Sequence, residues 1–227
     1  AHRDRIAFMR IVSGRFDADK EVYHVQGGKK LRLSRPQQLM AAEREIIEEA
    51  YAGDIIGVFD PGIFSIGDTL CAPGKKFRFD PIPTFAPEHL KRVRSLDTMK
   101  RKQFLKGMEQ IAQEGAIQIF KTPYTGMEEV IVGVVGTLQF DVLEYRLKNE
   151  YNVELYMEGL PYEYLRWIET DDGEPVKEED LILGTDVKLV EDYKGNQLLL
   201  FGSQWAIGWT EERNKNLTFH EFGGTKF

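Results

Sequence analysis

A chain of 227 residues, 42% hydrophobic and 30% charged with a formal net charge of −7, is globular rather than disordered, and its length favours two modest cores over one large one. Its single cysteine, Cys71, excludes an internal disulfide. No apolar run approaches the ~18–20 residues of a membrane span and no basic-then-apolar leader is present, so the sequence reads as cytoplasmic with no membrane partner.

The start Ala1-His2-Arg3-Asp4-Arg5, without methionine, points to a fragment or a processed chain. Net charge conceals an asymmetry. Residues 1–107 carry 20 Lys and Arg against 14 Asp and Glu, whereas residues 108–227 carry 10 against 23. A basic first half is suited to steering toward polyanions, and an acidic remainder limits nonspecific sticking to nucleic acid. Solvated surfaces that merely differ give the same split.

The first ~80 residues read as all-β. "RIAFMRIVSGRF" and "KEVYHV" are β-branched and aromatic runs separated by Asp17-Ala18-Asp19, a turn composition, and "KKLRLS" follows Gly27-Gly28. Short strands punctuated by turns favour a barrel. "AYAGDIIGVFD" and "FSIGDTL" place Gly53-Asp54 and Gly67-Asp68 at strand entries, where glycine relaxes the backbone and aspartate bonds nearby amides. No histidine or third carboxylate lies at ligand spacing from these aspartates.

Pro81, Pro83 and Pro87 disfavour helix and suit an extended connector, which sets the domain boundary at residues 83 and 84. "DTMKRKQFLKGMEQIAQEG" then reads as a helix with Asp97 as N-cap and Gly115 past its end, and with Phe104, Leu105, Met108, Ile111 and Ala112 on one stripe. Lys100, Arg101, Lys102 and Lys106 cluster near its start behind Lys91, Arg92 and Arg94. Cations there oppose the helix macrodipole by ~0.3–1 kcal/mol each, which points to an anionic partner, although long stems covering apolar surface account for them equally well.

"AIQIFKT" and "EVIVGVVG" read as strands. "TLQFDVLEYRLKNEY" follows as a helix capped by Thr137 and ended by Asn152, with apolar positions Leu138, Val142, Leu143, Tyr145 and Leu147, and "NVELYME" as a strand. With the extended segment 85–93 counted first, the order is β-α-β-β-α-β, a ferredoxin-like arrangement. Packing accounts for Leu138, Phe140, Val142, Leu143 and Leu147. Beyond Tyr162 come a strand at "RWIET", a hairpin about Lys194-Gly195-Asn196, and a helix "SQWAIGWTEERN" that Ser203 caps. The fold class is therefore α+β in two domains, residues 1–83 and 84–227.

Motifs for chemistry are absent: there is no G-x-x-x-x-G-K-S/T phosphate loop, G-x-G-x-x-G, H-E-x-x-H, C-x-x-C or G-x-S-x-G. His2, His24, His89 and His220 are scattered, so no metal site is expected. Trp167, Trp205 and Trp209 read as core rather than as a stacking platform. The one carboxylate cluster, Asp171, Asp172 and Glu174, sits beside Gly173 and Pro175 in an exposed turn, where carboxylates stay ionised and unperturbed.

"EEAYAGDIIGVFDPGIFSIGDTL", "IPTFAPEHLKRVRSLDTMKRKQFLKGMEQIAQEGAIQIF" and "VGTLQFDVLEYRLKNEYNVE" together resemble the bacterial peptide chain release factor 3 family of translational GTPases. "GDIIG" with "IGDT" fits any translation-factor barrel, including that of elongation factor G, whereas "LQFDV" with "IPTFAPE" is specific to the release factor. The resemblance is dense to about Trp167 and thinner after it. It implies an elongation factor Tu domain 2-like barrel, without the strand that normally opens it and hence with an unpaired edge. An α+β domain with a ferredoxin-like portion follows.

The resemblance also implies GTP-driven removal of class I release factors from the ribosome. The GTPase domain that binds GTP and magnesium is missing here, so no catalytic residue and no cofactor is assigned to this chain. Ribosomal RNA and proteins are the implied partners, together with the missing GTPase domain. Barrels of this family face small-subunit RNA, which makes Arg10, Lys29, Lys30, Arg32 and Arg35 phosphate-contact candidates, with Lys91, Arg92, Arg94, Lys100, Arg101, Lys102 and Lys106 as a second group. Arg10 also suits a cross-strand ion pair. An elongation factor G relative and a free-standing carboxylate enzyme are the alternatives.

Overall fold

The computed structural model describes residues 5–40, 43–75, 77–123 and 129–223. The chain divides into two compact units, residues 1–82 and 83–227. In the first unit the strands are β1 (Arg5–Arg10), β2 (Arg15–Asp17), β3 (Val22–His24), β4 (Lys29–Leu31), β5 (Ser34–Met40), β6 (Glu43–Ile46), β7 (Glu49–Tyr51), β8 (Ile55–Asp60) and β9 (Leu70–Cys71).

These strands form antiparallel sheets in the orders β1-β8-β5-β6, β2-β7 and β4-β3-β9. They wrap one core of Phe16, Leu33, Ala50, Ile56, Val58 and Phe64. Each large apolar side chain removed from water there contributes about 1.5–3 kcal/mol. Gly53 and Gly67 have φ of 101° and 90°, and the carboxylates beside them accept from backbone amides: Asp54 from Tyr51 N at 2.8 Å and Asp68 from Ser65 N at 2.9 Å. Both Gly-Asp pairs thus act as strand entries. Among the described residues β1 has β8 as its one ladder partner, in a register running from Arg5 opposite Asp60 to Arg10 opposite Ile55.

The second unit contains β10 (Thr84–Phe85), β11 (His89–Ser95), α1 (Arg101–Gln113), β12 (Gln118–Lys121), β13 (Glu129–Val134), α2 (Leu138–Tyr151), β14 (Leu155–Gly159), β15 (Tyr164–Thr170), β16 (Val187–Asp192), β17 (Gln197–Phe201), α3 (Gln204–Arg213), β18 (Leu217–His220) and β19 (Phe222–Gly223). Its main sheet has the antiparallel order β14-β11-β13-β12-β16-β17-β15-β18. The first four strands with α1 and α2 are the ferredoxin-like portion. Val93, Ile119, Val132 and Val134 face Phe104, Met108, Ile111, Phe140, Leu143 and Leu147 of the helices.

At β12 the sheet continues into its second half, with Phe120 opposite Asp192 and Lys121 opposite Glu191. The other face buries Leu90, Phe120, Ile131, Leu165, Trp167, Val190, Leu198 and Leu200 together. Helix α3 covers Leu189, Leu199 and Phe201 with Ala206 and Ile207. No described helix is long and apolar enough to cross a membrane.

Gly107 and Gly133 are among the glycines fixed by close approach. A Cβ on Gly107 would meet Leu147 Cδ1 at 2.9 Å and Tyr151 Cγ at 3.0 Å, and one on Gly133 would meet Pro87 Cγ at 2.5 Å. Helix α1 can therefore cross α2 tightly, and Arg146 clamps the pair by bonding Glu114 at 2.5 Å and Glu150 at 2.9 Å.

The caps differ in part from their expected form. Asp97 accepts from Met99 N at 2.9 Å, but the turn that it caps is the 3-10 turn Thr98–Lys100 ahead of α1. Thr137 makes no side-chain cap bond. Gln139 does not replace it but braces the loop entering the helix: its Oε1 accepts from Val135 N and Gly136 N, both at 2.9 Å, and its Nε2 donates to the Ala116 carbonyl at 2.6 Å. Asn152 ends α2 at φ 55°, and Ser203 caps α3 by accepting from Ala206 N at 3.2 Å.

Helix α2 also corrects an expectation of packing. Phe140, Leu143, Leu147 and Tyr151 are buried, whereas Leu138, Val142 and Tyr145 are 75%, 50% and 69% exposed. Three-to-four spacing fits either stripe, and at 100° per residue the second lies opposite the first.

Candidate nucleic-acid interface

The barrel cations sit on an anchored hairpin. Strands β3 and β4 pair with Tyr23 opposite Lys30 and His24 opposite Lys29, and Gly28 closes the turn at φ 63° with its N–H bonded to the Val25 carbonyl at 3.2 Å. His24 is buried below this turn, with Nε2 2.8 Å from Asp68 Oδ2. Gly27 lies against that imidazole so closely that a Cβ would be 2.4 Å from Nδ1. Gln26 adds a second tie, its Oε1 accepting from Thr69 N at 2.8 Å. Sequence alone assigned no role to His24; the glycine pair that follows it, Gly27-Gly28, was the available signal.

On this base Lys29, Lys30 and Arg32 are exposed and make no ion pair among the described residues. Lys30 and Arg32, two apart, share one side of the strand direction and Lys29 takes the other. Strand β4 is the outer member of its sheet. Arg10 is exposed at the end of β1, in a different sheet, opposite Ile55 rather than a carboxylate. The cross-strand ion pair that was its alternative role is not formed among the described residues. The side chain of Arg35, in β5, lies outside the described residues.

The second group divides. Strand β11 pairs with β14 so that Arg92 stands opposite Glu158 and Arg94 opposite Tyr156. Arg92 Nη1 lies 3.2 Å from Glu158 Oε2, and Arg94 Cζ sits 4.6 Å from the Tyr156 ring centroid. On the helix-covered face, Lys91 Nζ is 4.5 Å from the Phe140 ring centroid. These three cations are engaged within the fold by cation–π and ion-pair contacts. Arg101, Lys102 and Lys106 are exposed on α1 and Lys100 is half-buried, with no acidic residue in the first turn.

The unit boundary also relocates the charge asymmetry. Residues 1–82 carry 13 basic against 12 acidic side chains and residues 83–227 carry 17 against 25. The barrel is near neutral overall, and the basic excess counted to residue 107 comes mostly from β11 and the start of α1. With so small a net charge the unit has no strong domain-wide field.

The carboxylate cluster builds a turn. Asp172 Oδ1 accepts from Glu174 N at 3.1 Å, and Thr170 Oγ1 donates to the Glu174 carbonyl at 2.6 Å around Gly173 at φ 77°. The backbone amide of Glu174, then the Thr170 hydroxyl, hold the Asp172 carboxyl below its usual range. The expectation of an unperturbed group fails in direction: Asp172 is stabilised as an acceptor, the opposite of what a proton donor needs. Among the described residues no group of three or more His, Cys, Asp or Glu could hold a metal. Of the three tryptophans, Trp167 is core at 6% exposed, whereas Trp205 is 72% exposed, which overturns its assignment to the core.

Comparison with known proteins agrees with this architecture. The family model "Class II release factor RF3, C-terminal domain" matches residues 79–211, and "Elongation factor G domain 2" matches residues 1–73. Proteins named peptide chain release factor 3 are similar throughout: one from Symbiobacterium thermophilum is 53% identical over 96% of this chain, one from Gloeobacter violaceus 45% over 97%, and one from Listeria monocytogenes 44% over 96%. The chain spans 40–41% of the length of these relatives. A crystal structure from Thermus thermophilus shares the fold at a TM-score of 0.55 and 16% identity, over 82% of this chain and 28% of that one. Since the release-factor model covers more than half of the residues, the chain belongs to the class II release factor RF3 family, whose C-terminal domain it carries behind a barrel of the elongation factor G domain 2 type.

Proposed function

We propose that this chain is the ribosome-docking portion of a peptide chain release factor 3, a protein that acts in the cytoplasm and uses GTP to clear class I release factors after termination. GTP and magnesium bind outside these 227 residues, in a GTPase domain that supplies the energy while the two units here act as bodies placed against ribosomal RNA and proteins. The observation that carries the reading is the anchored hairpin. Lys29 and Lys30 are exposed on β4 and Arg32 just past its end, in a hairpin whose other strand is tied down by the His24–Asp68 contact, in a barrel matched by a translation-factor model. Preorganised cations on a rigid edge suit phosphate contact, which positions a protein without reading bases. Arg101, Lys102 and Lys106 on α1 form a second contact of the same kind.

The test replaces Lys29, Lys30 and Arg32 by glutamate in the longer protein and measures ribosome binding against salt. Each lost phosphate contact lowers the slope of log K against log salt by about one unit, so a loss of about two to three is expected, with folding unchanged within ~0.5 kcal/mol. Binding equal to wild type at every salt concentration overturns the assignment of this hairpin. A companion measurement is titration of the 227-residue chain with GTP and magnesium, for which no micromolar binding is expected because no phosphate loop is present.

A further inference from the structure

Helix α3 carries an aromatic ladder on its outer side. Trp205 and Trp209 have ring centroids 6.3 Å apart at an interplanar angle of 38°, and Arg213 Cζ lies 4.0 Å from the Trp209 ring centroid. The opposite side of the helix supplies the buried residues Ala206, Ile207 and Thr210. Trp205 is 72% exposed. An indole so open to water forgoes most of the gain that its burial would bring, and the ring contact to Trp209 recovers little of it.

Gly208 lies between the tryptophans. Mid-helix glycine is unfavourable relative to alanine, and neither usual reason for it applies: its φ is not positive, and a Cβ would meet nothing within 4 Å. Trp205, Gly208 and Glu212 recur at three- and four-residue spacing, so the result is a strip of bare backbone on one stripe with the Trp205 indole and the Glu212 carboxylate. Glu211 and Glu212 complete the rim; both are exposed, and neither makes an ion pair among the described residues. The unit as a whole is acidic, with 25 acidic against 17 basic residues.

We propose that this face of α3 docks a lysine- or arginine-bearing segment of a partner protein, which packs against Gly208 and places its cation between the Trp205 ring and Glu212. Tryptophan and arginine are the residue types that dominate binding energy at protein interfaces, and stacked side chains lose little freedom when a partner arrives. Charge selects the occupant. A cation gains from both the indole face and the carboxylates, whereas a nucleic acid stacking on Trp205 would bring its phosphates against Glu211 and Glu212. The inference goes beyond the RNA-contact reading and does not depend on it, because that reading rests on other elements.

Three 16-residue peptides with the same leucine spacing serve as probes, one bearing lysine and arginine, one glutamate and one serine, together with a 12-nucleotide oligouridylate. The indole N–H signals of the intact chain are followed by heteronuclear NMR. The cationic peptide is expected to shift the Trp205 and Trp209 signals saturably, and the other three probes to leave them in place. Trp205→Ala and Glu212→Lys should each weaken this binding at least tenfold. Gly208→Leu, a helix-favouring change in open space, should weaken it as much with the fold intact. Asp171→Lys, a carboxylate change outside α3, should alter it by less than twofold. Three results overturn the proposal: indole shifts caused by the oligonucleotide, cationic-peptide binding that survives Trp205→Ala and Gly208→Leu, and no indole shift with the cationic peptide.

Discussion

Strand β4 and strand β11 carry their cations in the same sequence pattern, lysine and arginine interleaved with aliphatic residues, yet the fold treats the two differently. Lys29, Lys30 and Arg32 project from an outer hairpin and make no ion pair among the described residues, whereas Lys91 meets the Phe140 ring, Arg92 meets Glu158 and Arg94 meets Tyr156. For the two arginines the cause is register, and for Lys91 it is the α2 helix packed over the strand. β11 has neighbours on both sides, and its pairing with β14 sets a carboxylate opposite Arg92 and a phenol opposite Arg94. Among the described residues β4 has β3 alone, which offers His24, Tyr23 and Val22. Whether a strand cation is available to a phosphate depends on what stands across the ladder, and that information is nonlocal.

The largest expected effect sets the two groups against each other in the longer protein. Replacing Lys29, Lys30 and Arg32 by glutamate should lower the salt slope of ribosome binding by about two to three units and the affinity by roughly 10- to 1,000-fold at low salt, as phosphate contacts are lost and repelled. Replacing Lys91, Arg92 and Arg94 by alanine should leave the slope within about half a unit. Equal losses of slope from the two triples, measured by sedimentation at several salt concentrations, would erase the distinction.

Next in size is the anchor. His24→Ala removes a buried ring and its contact to Asp68, which keeps the Ser65 amide. It is expected to cost about 2–3 kcal/mol in urea unfolding, combining a cavity with a lost polar contact. Ribosome affinity should fall as well, although no cation has been removed, because the strand carrying Lys29 and Lys30 loses its seat. Unchanged affinity alongside reduced stability would show that the hairpin needs no anchor to present its charges.

The same locality explains what the sequence disclosed. The β-α-β-β-α-β order was legible because local devices mark it: Asp97 before α1, Gly115 after it at φ 77°, and Asn152 at φ 55° after α2. The two stripes of α2 could not be told apart, since spacing shows that Leu138, Val142 and Tyr145 align but not whether a sheet lies beneath them. Gln139 escaped notice as a brace of the loop entering α2 because its partners, Val135, Gly136 and Ala116, meet only once the α1–β12 turn has folded back. The exposure of Trp205 was hidden for a related reason: the apolar residues of α3 cover a broad arc, and only its packing on β16 and β17 selects Ala206 and Ile207 as the inner side. Of the candidate cations, the sequence supplied identities but not engagement.

A smaller effect is expected from the engaged cations taken singly. Arg94→Ala and Lys91→Ala should each cost about 0.5–1 kcal/mol, the range for cation–π contacts at accessible sites. Arg92→Ala should fall at or below that range, because Arg92 and Glu158 side chains are 40% and 50% exposed and their pair is largely screened. Arg101→Ala on α1 is the contrasting case: removing a cation from the first turn of a helix should be neutral or stabilising by a few tenths of a kcal/mol. Urea titrations of the four variants decide the order, and a costly Arg101→Ala would reveal a structural role for the α1 cations.

The finest test reverses the logic by releasing a cation. Tyr156→Val keeps a strand-favouring residue opposite Arg94 but removes the ring beneath its guanidinium. The loss of the contact should cost about 0.5–1 kcal/mol of stability, and the guanidinium then becomes available to solvent and to any phosphate within its reach. If β11 lies along the RNA-facing side, the salt slope of ribosome binding should rise by up to about one unit, a gain of phosphate contact produced by deleting an aromatic residue. If the slope stays fixed while stability falls as stated, Arg94 faces away from RNA and the contact surface narrows to the β4 hairpin and the start of α1. A rise in slope without a loss of stability would mean that the Tyr156 ring was only covering Arg94, and that availability on β11 is governed by steric shielding rather than by attraction across the ladder.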